Sequence, residues 1–253
     1  MSDVLNIVIP MAGLGTRFRE AGYTFPKPLI DMRGKTMIEL VVSNLRPSAP
    51  HRFTFICQRE HYQKYDLYNV LKNTTGDKFN VIQIDGVTQG ALCTVLLAAG
   101  YINNENELLI ANSDQFVNIN IDDFVTHARE RNVDGLIMTF PATHPKWSYA
   151  RAIQNGRVLE TAEKKVISPY ATVGIYYFRR GSDFIRAAQS QIHKNIRYNK
   201  EFYVCPVYNE LILENKDIEH YLIGQDRMHG LGTPEDLNSF LQKLDNGLIP
   251  FAA

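Results

Sequence analysis

The chain is 253 residues long, 45% of them apolar, with 27 lysines and arginines against 27 aspartates and glutamates. That length can bury one large core or two modest ones, of which one is expected, and the balanced charge excludes the global positive field that gathers nucleic acid or an anionic membrane surface. Three scattered cysteines, Cys57, Cys93 and Cys205, none in CxxC spacing, point to reduced thiols and away from a zinc knuckle.

In chain order, "VLNIVIP" from Val4 reads as a buried strand, "TMIELVVSNL" as a helix, "FTFIC" as a strand, and "REHYQKYDLYNVLK" as a helix. "FNVIQI" then reads as a strand, "QGALCTVLLAAGY" as a helix and "ELLIANSD" as a strand. This alternation predicts a parallel sheet covered on both faces, with ligands beyond the carboxyl ends of its strands. The loops after Ile9 and Ile110 should then be neighbours. Asn120 is a predicted N-cap for "IDDFVTHARERN". Strand-like "DGLIMTF", "YARAI", "RVLETA" and "ATVGIYYF" follow, with a hairpin turn at Asn155-Gly156. Helices are predicted at "SDFIRAAQSQIHKN" and at "TPEDLNSFLQKL", the latter opened by Thr233, Pro234 and Asp236. No repeat, low-complexity tract or linker interrupts the chain, so residues 1–253 are expected to form one domain. The apolar stretch "ALCTVLLAAGYI" is too short to span a bilayer, and the N-terminus lacks signal-peptide features. A cytoplasmic protein is expected, with no membrane partner.

The segment "PMAGLGTRFREAGYTFPKPLIDMRGKT", Pro10 to Thr36, combines glycines, cations and few acids. A dinucleotide fingerprint fails because Phe18 stands at its third glycine and no helical pattern follows at once. A Walker A loop fails because Leu29 stands five positions before Gly34-Lys35-Thr36, which reads instead as a turn into the helix at Met37. A glycine turn after a buried strand would explain Gly13 and Gly15 but not the cations beyond them. The remaining design has Met11, Ala12, Gly13 and Gly15 letting backbone N–H groups approach a triphosphate, with Arg17 and Lys27 supplying charge.

That loop, with Pro26-Lys27-Pro28 after it, resembles the signature of nucleotidyltransferases that activate sugar phosphates, the pyrophosphorylase family. The resemblance extends along nearly the whole chain: Gly90 in "DGVTQGALCT", Asp114 closing "LLIANSD", Glu163-Lys164 in "TAEKK", Gly174 in "ATVGIYYF" and the C-terminal "GLGTPEDL". It implies a single-domain Rossmann-like α/β fold, with a mixed, mostly parallel sheet flanked by helices as in GT-A-like enzymes. Residues 1–114 would form a nucleotide-binding half and 115–253 an acceptor-binding half.

The resemblance implies a nucleoside triphosphate and a phosphorylated small molecule as substrates, and Mg2+ as cofactor. Arg17 and Lys27 would be catalytic, Asp114 would hold the metal, Gly90 would contact the base, and Glu163, Lys164 and Gly174 would contact the acceptor. Asp85, just before the Gly90 helix, could accept from an exocyclic amine, as cytosine and guanine have. Homo-oligomerisation is left open.

Two departures from the family bear on the site. Gly230 in "MHGLGTPEDL" stands where a second metal carboxylate is usual, leaving magnesium to Asp114, phosphates and water, or to another acid such as Asp226. Trp147-Ser148 in "HPKWSYARAI" replaces a Tyr-Gly pair against which a hexose would lie, so an acceptor other than a common hexose 1-phosphate becomes plausible. His144 and His229 stand near loops, able to touch phosphate or to serve packing. "IANSDQF", "ATHPKWS" and "EFYVCPVYNEL" resemble a bacterial capsule-biosynthesis branch that includes CTP:phosphoglutamine cytidylyltransferases. A nucleotide sensor on the same fold, and a glycosyltransferase, are the other readings; the latter would usually show DxD where Ser113-Asp114-Gln115 stands.

Overall fold

In the computed structural model, which describes residues 4–249, the core is built on the alternation of apolar side chains along its strands. On β1 (Leu5–Pro10), Leu5, Ile7 and Ile9 enter one buried cluster while Val8 enters another on the opposite face. Strand periodicity thus forces helices onto both faces. A five-residue helix α1 (Thr16–Glu20) follows β1, then α2 (Met37–Leu45), β2 (His51–Gln58), α3 (Arg59–Lys64), α4 (Leu67–Thr75) and β3 (Phe79–Ile84). Next come α5 (Ala91–Leu96), α6 (Ala99–Ile102), β4 (Leu108–Ala111), the short β5 (Gln115–Val117), α7 (Ile121–Glu130) and β6 (Gly135–Pro141). The hairpin β7 (Tyr149–Ala152) and β8 (Val158–Ala162), then β9 (Tyr170–Phe178), precede α8 (Gly181–His193) and α9 (Val207–Leu213). Last are β10 (Ile218–Leu222), β11 (Met228–Gly230) and α10 (Pro234–Asp245).

The main sheet runs β10-β6-β9-β4-β1-β2-β3, with β7 and β8 off this path. Along it β10–β6, β4–β1, β1–β2 and β2–β3 are parallel, and only β9 runs antiparallel to both of its neighbours. The expected mixed, mostly parallel α/β sheet flanked by helices is what forms.

Helix α2 starts at a capping box in which Thr36 and Glu39 satisfy each other's backbone N–H groups, and it buries Ile38, Val41, Val42 and Leu45 on one face of the sheet. Helix α8 places Phe184, Ala187 and Ala188 on the other. A third cluster, with Phe18, Met32, Phe116, Leu237 and Phe240, fastens α10 beside the opening loop. The Arg33 guanidinium grips Asp245 there through two bonds, at 2.9 and 2.6 Å.

The predicted N-caps Asn120 and Thr233 each accept a backbone N–H, from Asp122 and Asp236. Helix α1 is a correction. It begins immediately after Gly15, although no helical pattern was legible there, because Gly15 adopts a left-handed conformation (φ 61°) that turns the chain directly into it. The dinucleotide reading still fails, on Phe18. Among the described residues no helix is long and apolar enough to cross a membrane.

Candidate active site

Because β1 and β4 are parallel neighbours, the loops leaving their carboxyl ends meet. The first carries Gly13, Gly15, Arg17 and Lys27; the second carries Asn112, Ser113 and Asp114. All of them line one open cavity of about 800 Å³.

Gly15 does more than turn the chain. A Cβ there would stand 3.3 Å from the Lys27 Cβ, so the glycine lets the lysine segment pack against the loop. Lys27 begins a short 3-10 turn (Lys27–Leu29), and its ammonium donates to the Asp114 carboxylate at 2.5 Å. The pair is mostly shielded, with side chains 17% and 32% exposed. Arg17, on α1, lines the same cavity, is exposed, and has no carboxylate partner among the described residues. One cation is therefore held by an acid and the other is free to meet an anion.

The loop's backbone is pinned from behind. Met11 N–H donates to Ile56 at 2.8 Å, and the Gln58 amide donates to the carbonyls of Ala12 (2.5 Å) and Gly86 (2.6 Å). Met11, Gly13 and Gly15 reach the cavity wall, whereas Ala12 lies behind it.

The other wall comes from the second half of the chain. Trp147, Ser148, Glu163, Lys164 and Gly174 all line the cavity. The Ser148 hydroxyl donates to Glu163 in a short hydrogen bond. Burial pushes the Glu163 carboxyl above its usual range, with Ser148 and Lys164 opposing it. Lys164 adopts a left-handed backbone (φ 50°) and donates to the Tyr203 hydroxyl at 3.0 Å, which in turn donates to Glu201 at 2.6 Å. Gly174 (φ 94°) is required on β9 because a Cβ would collide with the Asn112 side chain.

Two expected base-side residues lie elsewhere. Asp85 does not line the cavity; its exposed carboxylate pairs with the Arg59 guanidinium at 3.1 Å. Gly90 (φ 119°) caps α5 and lies against backbone, since a Cβ would stand within 2.7 Å of the Phe202 nitrogen. His229 and Asp226 face a separate groove.

Sequence reasoning missed Asn112, Tyr203 and Asp236, all on the cavity. Asp236 was read as a capping residue, and its backbone N–H does bond Thr233 at 3.1 Å, but its carboxylate is turned toward the cavity wall near Gly230.

For a divalent metal, the donor set is one carboxylate, Asp114, with Asp236 on the same cavity. No group of three or more His, Cys, Asp or Glu positioned for a metal exists among the described residues. That fits an octahedral magnesium ion held largely by substrate phosphates and water, and does not fit an all-protein cage.

The nucleotidyl transferase family pattern matches residues 7–245. Among curated proteins none is a significant sequence match. A Vibrio cholerae RC9 structure described as a nucleoside-diphosphate-sugar pyrophosphorylase superposes with a TM-score of 0.80 at 27% identity, over 93% of this chain and 99% of that one. The inositol-1-phosphate CTP transferase of T. maritima gives 0.76 at 15% identity, over 100% of both chains. A UDP-glucose pyrophosphorylase from Acinetobacter baumannii gives 0.74 at 16%, over 97% of this chain and 94% of that one. At such identities the last two speak for the fold.

Proposed function

This chain belongs to the nucleotidyl transferase family, and from that premise we propose that it transfers CMP from CTP to a phosphorylated small molecule, with L-glutamine phosphate as the leading acceptor. The product would be a nucleotide-activated precursor for a capsule or other surface polysaccharide. The observation that carries the transfer reading is the meeting of Arg17, Lys27 and Asp114 on one wall of a cavity whose other wall holds Ser148, Glu163 and Lys164. The choice of CTP and of an amino-acid acceptor rests on the resemblance of "IANSDQF", "ATHPKWS" and "EFYVCPVYNEL", and on Trp147-Ser148 in the place of a hexose platform.

The chemistry asks for positioning and charge neutralisation. A terminal phosphoryl group is largely dianionic near neutral pH, the second pKa of such groups being about 6, so its oxygen attacks without a general base. The new bond forms from that oxygen to the α-phosphorus, the bond from the α-phosphorus to the bridging oxygen breaks in line, and pyrophosphate departs. Arg17, unpartnered and exposed at the loop, is assigned to the departing β,γ-phosphates. Lys27 is assigned to the oxygens around the reacting phosphorus. Asp114 would hold magnesium, which when bound neutralises phosphate charge. Residues 1–114 serve the nucleotide, through the backbone of Met11 to Gly15; residues 115–253 serve the acceptor.

The test is a pyrophosphate-release assay with CTP, UTP, dTTP and GTP against L-glutamine phosphate and glucose 1-phosphate, with and without excess chelator. Release with CTP and L-glutamine phosphate, abolished by chelator, is expected. Turnover only with glucose 1-phosphate and dTTP or GTP would instead establish the sugar 1-phosphate reading, which the names of the fold relatives favour. No release with any pair would leave a nucleotide-sensing protein.

A further inference from the structure

Beside the reaction cavity lies a second groove of about 940 Å³. Lys146, Trp147, Met228, Gly230 and Asp236 line both spaces, so the two share a wall. One shared element of that wall is Gly230, the last residue of β11, held opposite Gln115 of β5 in an antiparallel ladder. A Cβ at Gly230 would stand 3.7 Å from the Trp147 ring edge and 3.7 Å from an Asp236 carboxylate oxygen, in ordinary contact with both. Its φ lies outside the left-handed region, so nothing in the backbone requires a glycine there. What the missing side chain provides is the gap between Trp147 and Asp236.

The far groove is chemically furnished. His229 is only 7% exposed, wedged beside Phe116 and Phe240, yet its ring nitrogens make no hydrogen bond among the described residues. Those nitrogens are not sealed from solvent, so they stand open to a partner arriving in the groove. Burial, aided by Lys243, pushes the His229 imidazole down to about 4, so near neutral pH it offers one donor and one acceptor without charge. Around it stand Lys243 and Asp226, neither in an ion pair among the described residues, and Lys146 with Asp236 in a loose pair at 3.8 Å. Two cations and two anions on one short stretch of wall suit a ligand that carries both charges.

We propose that the gap at Gly230 joins the two spaces and that the groove behind it is the subsite for the far end of the acceptor, recognising an ammonium and a carboxylate together. The phosphate of the acceptor stays in the reaction cavity; its far end passes the Trp147 edge, its ammonium facing Asp226 and Asp236 and its carboxylate facing Lys243 and His229. This rests on the transfer reading above for the position of the phosphate. It makes Gly230, His229 and Lys243 determinants of specificity, outside the triphosphate machinery.

Trp147 is the chain's single tryptophan and stands at the junction, so its fluorescence reports ligands passing it. The experiment titrates wild type, Gly230→Val, Lys243→Gln and Asp226→Asn with L-glutamine phosphate, glucose 1-phosphate and CTP in magnesium. The expected result is saturable binding of L-glutamine phosphate to wild type, weakened about tenfold or more by Gly230→Val and by a smaller factor in the two charge variants. Affinities for glucose 1-phosphate and CTP should change less than about twofold. Should Gly230→Val fail to fold, the charge variants decide. Unchanged L-glutamine phosphate affinity in the variants overturns the subsite, as does absence of binding to wild type. Failure of CTP to bind wild type would instead sink the transfer reading, which separates the two.

Discussion

Arg17 and Lys27 come from one loop but stand in different electrostatic surroundings: Lys27 is shielded against Asp114, whereas Arg17 is exposed and unpaired. Both are assigned to charge that develops on the phosphates, and removing one such donor typically costs about 3 kcal/mol of transition-state stabilisation. Arg17→Ala and Lys27→Ala should each lower kcat/KM by about a hundredfold or more with the melting temperature nearly kept; near-normal turnover in either would remove it from the machinery. Glu163 supplies a pH test. Its carboxyl is raised by burial, so its protonated form favours the fold at pH below the unfolded value near 4.5, and that contribution is lost as pH rises through the higher folded value. Glu163→Gln should therefore melt progressively higher relative to wild type as pH rises through that window. A melting difference that stays flat with pH would show that the carboxyl is not held up by its burial.

At the scale of elements, the turn between Gln89 and α5 is bound to the segment carrying Phe202. Phe202 N–H donates to Gln89 at 2.8 Å, and Leu92 N–H donates to the Phe202 carbonyl at 3.1 Å. Gly90 lies between these bonds in a conformation that side chains rarely adopt, so Gly90→Ala should cost at least about 2 kcal/mol in urea unfolding. A loss below half of that would mean the two segments separate easily. The strands on both sides of this turn were legible as short apolar runs, and the caps at Asn120 and Thr233 because polar residues precede apolar runs. Helix α1 was hidden, being set by one glycine torsion and only five residues long. Strands β5 and β11, three residues each, carry too little period to read, yet their ladder sets Gly230 against Gln115.

Across the whole molecule, the parallel neighbours β1 and β4 put the glycine loop after β1 beside Asp114, and strand order made that legible from sequence. The opposite cavity wall was legible only as motifs, because β9 runs antiparallel between β4 and β6 and no local pattern announces that insertion. Asp85 misled for a related reason: proximity in sequence to the Gly90 turn said nothing of Arg59, which claims its carboxylate across the sheet edge. The salt link between Lys27 and Asp114 has a wider consequence. In the resting protein Asp114 already holds a positive charge of the molecule's own making. On the reading proposed above, Asp114 would hold the metal ion and Lys27 would serve the phosphates, so the two side chains that pair in the resting protein are the two that the substrate would separate. Until then the Lys27–Asp114 pair keeps both side chains neutralised and ordered at the mouth of the loop, so the cavity carries neither a bare carboxylate nor a bare ammonium at this point.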